Sequence, residues 1–155
     1  MTSEMGSTMD NLAEIQNGLE DLGFVAKYNI ADGIIVVSLD GGTPAALMIE
    51  GGHLSITAQV CTLGELREDN LAVFAMAALD ANSRISPFAF SLITERDDPT
   101  IQGTSQYVVT LVDHIPLGDF EKPELESAMQ SLITALVGSR EVLEAGCGET
   151  AKTPA

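Results

Sequence analysis

The sequence predicts an α+β fold: a mainly antiparallel, twisted sheet of about five to six strands packed with three helices, in the order α-β-β-β-β-α-β-β-α. Three observations carry this reading. Short apolar runs are separated by Gly- and Asp-rich turns, most clearly at Gly51-Gly52, which is the pattern of hairpins. Residues 53–60 alternate, with Leu54, Ile56, Ala58 and Val60 on one side and His53, Ser55, Thr57 and Gln59 on the other, as a strand covered on one face requires. Three longer stretches repeat their apolar residues every three or four positions, the period of a helix. A sheet made of hairpins then carries its helices on one side.

The first helix is expected over residues 10–22, with Leu12, Ile15, Leu19 and Leu22 on one face. Ser7 or Thr8 caps its start. Gly23 ends it and lets Phe24 fold back on Leu19. Strands follow at 24–29 and 34–39, the second through an IIVV run that reads as buried on both faces. After a turn at 40–42, strands at 45–50 and 53–61 pair as a hairpin. The middle helix, 70–83, contains LAVFAMAALDAN and is apolar nearly all round. Leu71, Phe74, Ala75, Ala78 and Leu79 suffice to cover a sheet, while Val73, Met76, Ala77 and Asp80 form a second face. Such a helix is either enclosed within its own domain or shared with another chain. Few elements remain to enclose it, so a dimer or partner interface is expected there. Pro87 blocks its continuation, and a strand at 88–93, a polar mobile loop at 95–105 and a strand at 106–114 follow, closed by Pro116 and Gly118. The last helix, 121–145, places Leu125, Met129, Leu132, Ile133, Leu136, Val137 and Leu143 in one stripe. It is about 35 Å long, enough to cross a small sheet.

At 155 residues the chain fits one domain, expected over 9–146 between a disordered leader, 1–8, and a frayed tail, 147–155. Apolar residues make up 45% and there is no Trp, so the core is aliphatic. The formal charge is −16, and acids outnumber bases in the first 23 residues, the middle of the chain and the last 37 alike. Spread this way, the charge reads first as a self-repelling, soluble surface and alternatively as an electrostatic complement to basic partner segments. Seven unclustered Lys and Arg speak against a nucleic-acid backbone as partner. The start of the chain lacks the basic and apolar regions of a signal peptide, and no apolar run approaches a membrane span. A cytoplasmic protein without membrane insertion is expected, with Cys61 buried at a strand end and Cys147 exposed after the last helix, both reduced.

Chemistry is hard to find. His53 and His114 lie at strand ends, Cys61 and Cys147 lack CxxC spacing, and no GxSxG elbow exists. The Gly pairs lie in hairpin turns and open no helix, unlike a nucleotide loop. Asp97-Asp98 lacks the alternating oxygen ligands of a calcium loop. The expectation is a non-enzyme with no catalytic residue, no metal and no cofactor. An enzyme would need Asp113, His114 and further carboxylates to converge in a pocket.

The element order, size and acidity resemble the type III secretion chaperone-like and YbjN-like superfamily. Within it, ALMIEGGHLSITAQVCTLGEL (46–66), LDANSRISPFAFSLI (79–93) and YVVTLVDHIPLGDF (107–120) resemble the YjfI-like family of uncharacterised bacterial proteins. The resemblance covers most of residues 45–145 and brings no catalytic signature. It implies a homodimer paired through the middle helix, and a peptide-binding surface on the first helix and sheet, here Leu12, Ile15, Leu19, Ile35, Val37 and Ile56. The expected function is therefore an acidic, chaperone-like, protein-binding module that holds a partner polypeptide as a homodimer. The alternative is a monomeric regulatory domain responsive to a small molecule or metal.

Overall fold

The structure, a computed structural model, describes residues 11–39, 44–62, 65–66, 68–94 and 107–147. The expected leader 1–8, the caps Ser7 and Thr8, the turn at 40–42, the loop at 95–105, the Cys147 side chain and the chain beyond it lie outside the described residues. The elements are α1 (Leu12–Asp21), β1 (Val25–Asn29), β2 (Ile34–Ser38), β3 (Ala45–Glu50), β4 (His53–Thr62), α2 (Leu71–Asn82), β5 (Ala89–Thr94), β6 (Tyr107–Pro116) and α3 (Lys122–Cys147). This is the expected α+β order, with six strands in one antiparallel sheet, β1-β2-β3-β4-β6-β5. The contacts group into two compact units, 1–58 with 112–130 and 59–111 with 131–155. β4, β6 and α3 contribute residues to both.

In the first unit, α1 starts at Asn11, whose Oδ1 accepts a hydrogen bond from the Glu14 N–H at 2.9 Å, an N-cap that sequence reading had placed upstream. It ends as expected. Gly23 has φ 97°, the Phe24 N–H donates to the Leu19 carbonyl and the Gly23 N–H to the Glu20 carbonyl. Those two bonds satisfy carbonyls that the last turn would leave open. α1 packs on β1 and β2, beneath which two buried ladders cross the strands. Ile35 pairs Leu47, which pairs Ile56; Val37 pairs Ala45, which pairs Ala58. All six are buried. The β3–β4 turn is made by Gly51 and Gly52, both with positive φ, as a two-residue hairpin with right-handed twist requires.

Three expectations are corrected. The IIVV run is covered on one face only, and Val36 is 42% exposed, because β2 alternates like any antiparallel strand. Ser55, assigned to the open side of β4, is buried, so the second face of β4 is covered at that point. Pro116 lies at the end of β6 instead of beyond it, where its missing N–H costs the ladder least. α3 begins with the Glu121 N–H donating to Glu124 Oε1 at 2.9 Å, half of a capping box, and it runs through Cys147.

In the second unit, α3 buries Leu132, Ala135, Ser139 and Val142, while Ile133 and Val137 are exposed. The expected stripe holds at Leu125, Met129 and Leu132, all fully buried, and fails at Ile133 and Val137, whose places are taken by the small residues Ala135 and Ser139. Cys61 is buried as expected, in a cluster with Leu66, Phe74, Ala78, Ala81, Val109 and Val142.

Two glycines of α3 separate helix propensity from packing. A Cβ on Gly138 would meet only Ile85 Cγ2 at 3.4 Å, whereas one on Gly146 would lie 2.7 Å from Phe74 Cδ1 and 2.9 Å from Leu66 Cδ2. Gly138→Ala should therefore stabilise by up to about 1 kcal/mol, the propensity gain. Gly146→Ala should destabilise by about 1 kcal/mol or more, because overpacking against a buried ring outweighs that gain. Urea unfolding of both variants checks the opposite signs.

Candidate functional site

Exposed apolar side chains gather on α2, and a concavity lies beside them. The helix is built from small residues, and its inward line is Phe74, Ala78 and Ala81, all buried. On its outer side Val73 is 54% exposed, Met76 72% and Leu79 70%. Soluble surfaces scatter such residues singly; three within seven positions of one helix mark a contact face.

The expected interface residues separate as follows. Val73 and Met76 are exposed, and Ala77 is partly buried against the second unit's core. Asp80 is exposed and paired with Arg84 through a 2.6 Å contact between Oδ2 and Nη1. That partner holds the Arg84 guanidinium above its ordinary pKa, by hydrogen bonding first and by charge second. Leu79, which sequence reading assigned to the sheet-covering face, is nearly as bare as Met76. Its position at the margin of that face was the signal available.

The expected peptide-binding surface is corrected. Leu12, Ile15, Leu19, Ile35, Val37 and Ile56 are all buried. The stripe of α1 and the inward face of the strands cover each other instead of facing a partner.

The concavity lies between α2 and β5. It has a volume of ≈ 340 Å³, at the low end of the roughly 300–1,000 Å³ of ligand pockets. Ala75, Ala78 and Leu79 form one wall, and Phe90, Leu92 and Val109 the other. Leu71 and Phe74 complete the apolar lining, Asn82 and Ser91 are the polar residues, and no charged residue lines it. Asn82 also braces the cavity, because its Oδ1 accepts the Phe90 N–H at 2.8 Å. This bond ties the end of α2 to the start of β5 and holds the two walls at their separation. Leu92, on the rim, is 56% exposed. Sequence reading missed the cavity, since it arises where alanines face a strand and no residue pattern encodes empty space.

The Asp113–His114 pair is not in this cavity; it belongs to the first unit. His114 is exposed. Asp113 is half-buried, and burial raises its carboxyl pKa, with a smaller opposing effect from hydrogen bonding to the His114 backbone and from the His114 charge. Among the described residues no group of three or more His, Cys, Asp or Glu is placed to hold a metal ion. A raised carboxyl pKa means that the fold favours the protonated form. Its contribution is fully present below the unfolded pKa and is lost as pH rises through the folded one. Asp113→Asn should therefore raise the melting temperature at pH 7, and the gain should vanish when the melts are repeated at about pH 3, below the ordinary aspartate range.

With this geometry in hand, the chain can be set beside known proteins. No family model matches it, and no curated protein matches its sequence. Solved structures do. YbjN from E. coli, named as a proposed transcription regulator, superposes with a TM-score of 0.64 at 13% identity, over 90% of this chain and 94% of that one. A chain of the ExsC–ExsE complex gives 0.58 at 16%, over 87% and 97%. An uncharacterised protein from Methanothermobacter thermautotrophicus gives 0.59 at 13%, over 85% and 96%. At these identities the likeness is one of fold: the chain has the α+β architecture that these structures share.

Proposed function

We propose that the chain is a non-enzymatic, cytoplasmic, protein-binding module of chaperone-like type, that it works as a homodimer, and that it holds a partner polypeptide. Within its fold we assign it to the YjfI-like family on residues 46–66, 79–93 and 107–120. The observation that carries the dimer is the outer side of α2, where Val73, Met76 and Leu79 are each more than half exposed. Covering an apolar side chain completely is worth roughly 1.5–3 kcal/mol. Three on each copy, with Leu92 beside them, supply a gain of the same order as the about 4–15 kcal/mol that association costs. That balance describes a reversible dimer. The neighbour solved as the ExsC–ExsE complex supports partner binding by analogy of fold.

The 340 Å³ cavity favours a second reading, a monomer that responds to a small molecule. Such a ligand raises the melting temperature of a chain that stays monomeric, and a dimer does not need it.

Light scattering on a gel-filtered sample should return twice the chain mass at micromolar concentration; the chain mass alone would rule the dimer out. Met76→Glu should give a folded monomer, because it sets an unpaired charge in the contact while altering a side chain the fold leaves exposed. Added salt should tighten the dimer, since each copy carries −16 and salt screens their repulsion with a Debye length of about 10 Å at 0.1 M. A dimer that salt dissolved would be held by charge pairs instead of apolar contact.

A further inference from the structure

The dimer leaves open what fills the cavity between α2 and β5. We infer that the Met76 side chain of a second copy enters it, each chain inserting into the other's cavity across a two-fold axis. This inference rests on the dimer reading and adds to it the occupant of the cavity.

A two-fold contact joins the same patch to itself, so the patch must carry its own complement. α2 does so within one turn. Ala75 and Leu79 form part of the cavity wall, and Met76, between them in sequence, projects beside it at 72% exposure. Projection and recess lie on one helix, a side chain's width apart, so two such helices crossing with opposite polarity set each projection before the other's recess.

Chemistry selects methionine. Its side chain is unbranched and adapts to an irregular space, and its sulfur interacts favourably with aromatic rings. Phe74 and Phe90 both line the cavity. With no charged residue in the lining, the recess suits a thioether that brings no charge and needs no hydrogen-bond partner.

Charge selects a second copy over a basic segment. Residues 70–94 contain one acid and one base, Asp80 and Arg84, in a chain of −16, and those two are paired with each other. Other acidic residues close by are Glu141, near enough to act on Arg84, and Glu68 and Asp69 just before the helix. A second copy therefore meets few acids here, and a basic peptide finds little counter-charge along residues 70–94. Extent points the same way. Twelve residues of α2 offer a footprint of roughly 18 by 10 Å, well short of the about 800 Å² per partner that stable interfaces bury. Engaging the cavity brings β5 into the contact and enlarges it.

The test is an isotope-filtered NOE experiment on a dimer mixed from Met-methyl-labelled and unlabelled full-length chains. We expect transfer from the Met76 methyl of one copy to the Phe90 ring of the other. Alongside it, Ala75→Trp, made at an exposed position on the cavity wall, should raise the dimer Kd about tenfold by closing the recess, and Met76→Ala should do the same by removing what enters it. Combined, they should cost no more than the larger of the two, as coupled sites do. A dimer that shows no such transfer, with Kd unchanged in either variant, overturns the cavity assignment and leaves the dimer standing. A wild-type monomer overturns both. Should Ala75→Trp fail to fold, Met76→Ala and the wild-type NOE still decide.

Discussion

A helix has one side to give to a sheet, and α2 carries apolar residues on every side. The inward line of Phe74, Ala78 and Ala81 settles how the helix lies, with two alanines allowing a close approach. The same short side chains create the problem next to it. On the flank toward β5, Ala75 and Ala78 do not reach across to Phe90 and Leu92, and the cavity is what remains. A recess with this lining gives the water in it few hydrogen-bond partners, so apolar atoms displace that water favourably. Close packing on one side and missing packing on the next thus have one cause, the alanine content of LAVFAMAALDAN.

The first unit shows what a completed arrangement looks like. There α1 gives one stripe to the strands, the strands give back two ladders, and the large aliphatic side chains between them reach zero exposure. Between α1 and the strands nothing is left over for a partner, although Val25, Ile30 and Val36 of this unit are exposed. To use Leu12, Ile15 and Leu19 as a binding surface, the chain would have to lift α1 off β1 and β2, breaking the Gln16–Ala26 hydrogen bond and wetting side chains each worth roughly 1.5–3 kcal/mol. That cost falls on the same scale as the whole stability of a domain. In the second unit exposed apolar side chains gather on α2, on β5 and at Ile133 and Val137 of α3.

How much of this was legible depends on whether a feature lies within one element or between two. Element order was legible, because period two and period 3.6 are local. So was the end of α1, since Gly23 and Phe24 make their bonds within six residues. The face of α3 was legible at Leu125, Met129 and Leu132 but not further along: hydrophobicity alone ranks Ile133 and Val137 above Ala135 and Ser139, yet the small residues are the ones that are buried. IIVV failed for a related reason, as a run of four β-branched residues has no alternation to show which pair faces in. At the site, Val73 and Met76 were legible by elimination, since the sheet-covering residues were already accounted for. Leu79 was not, because its fate depends on how far Phe90 and Leu92 stand from it, and no single stretch records that distance.

Acidity and the apolar face of α2 can be read together. A chain that carries −16 spread from end to end repels its own copies at the range of a Debye length, and only a short-range attraction at an uncharged patch can overcome that. Residues 70–94 supply such a patch, with their single acid already neutralised by Arg84. The repulsion then has a use. In the proposed dimer it opposes association on every face and least where residues 70–94 meet, and so favours that one mode over the others.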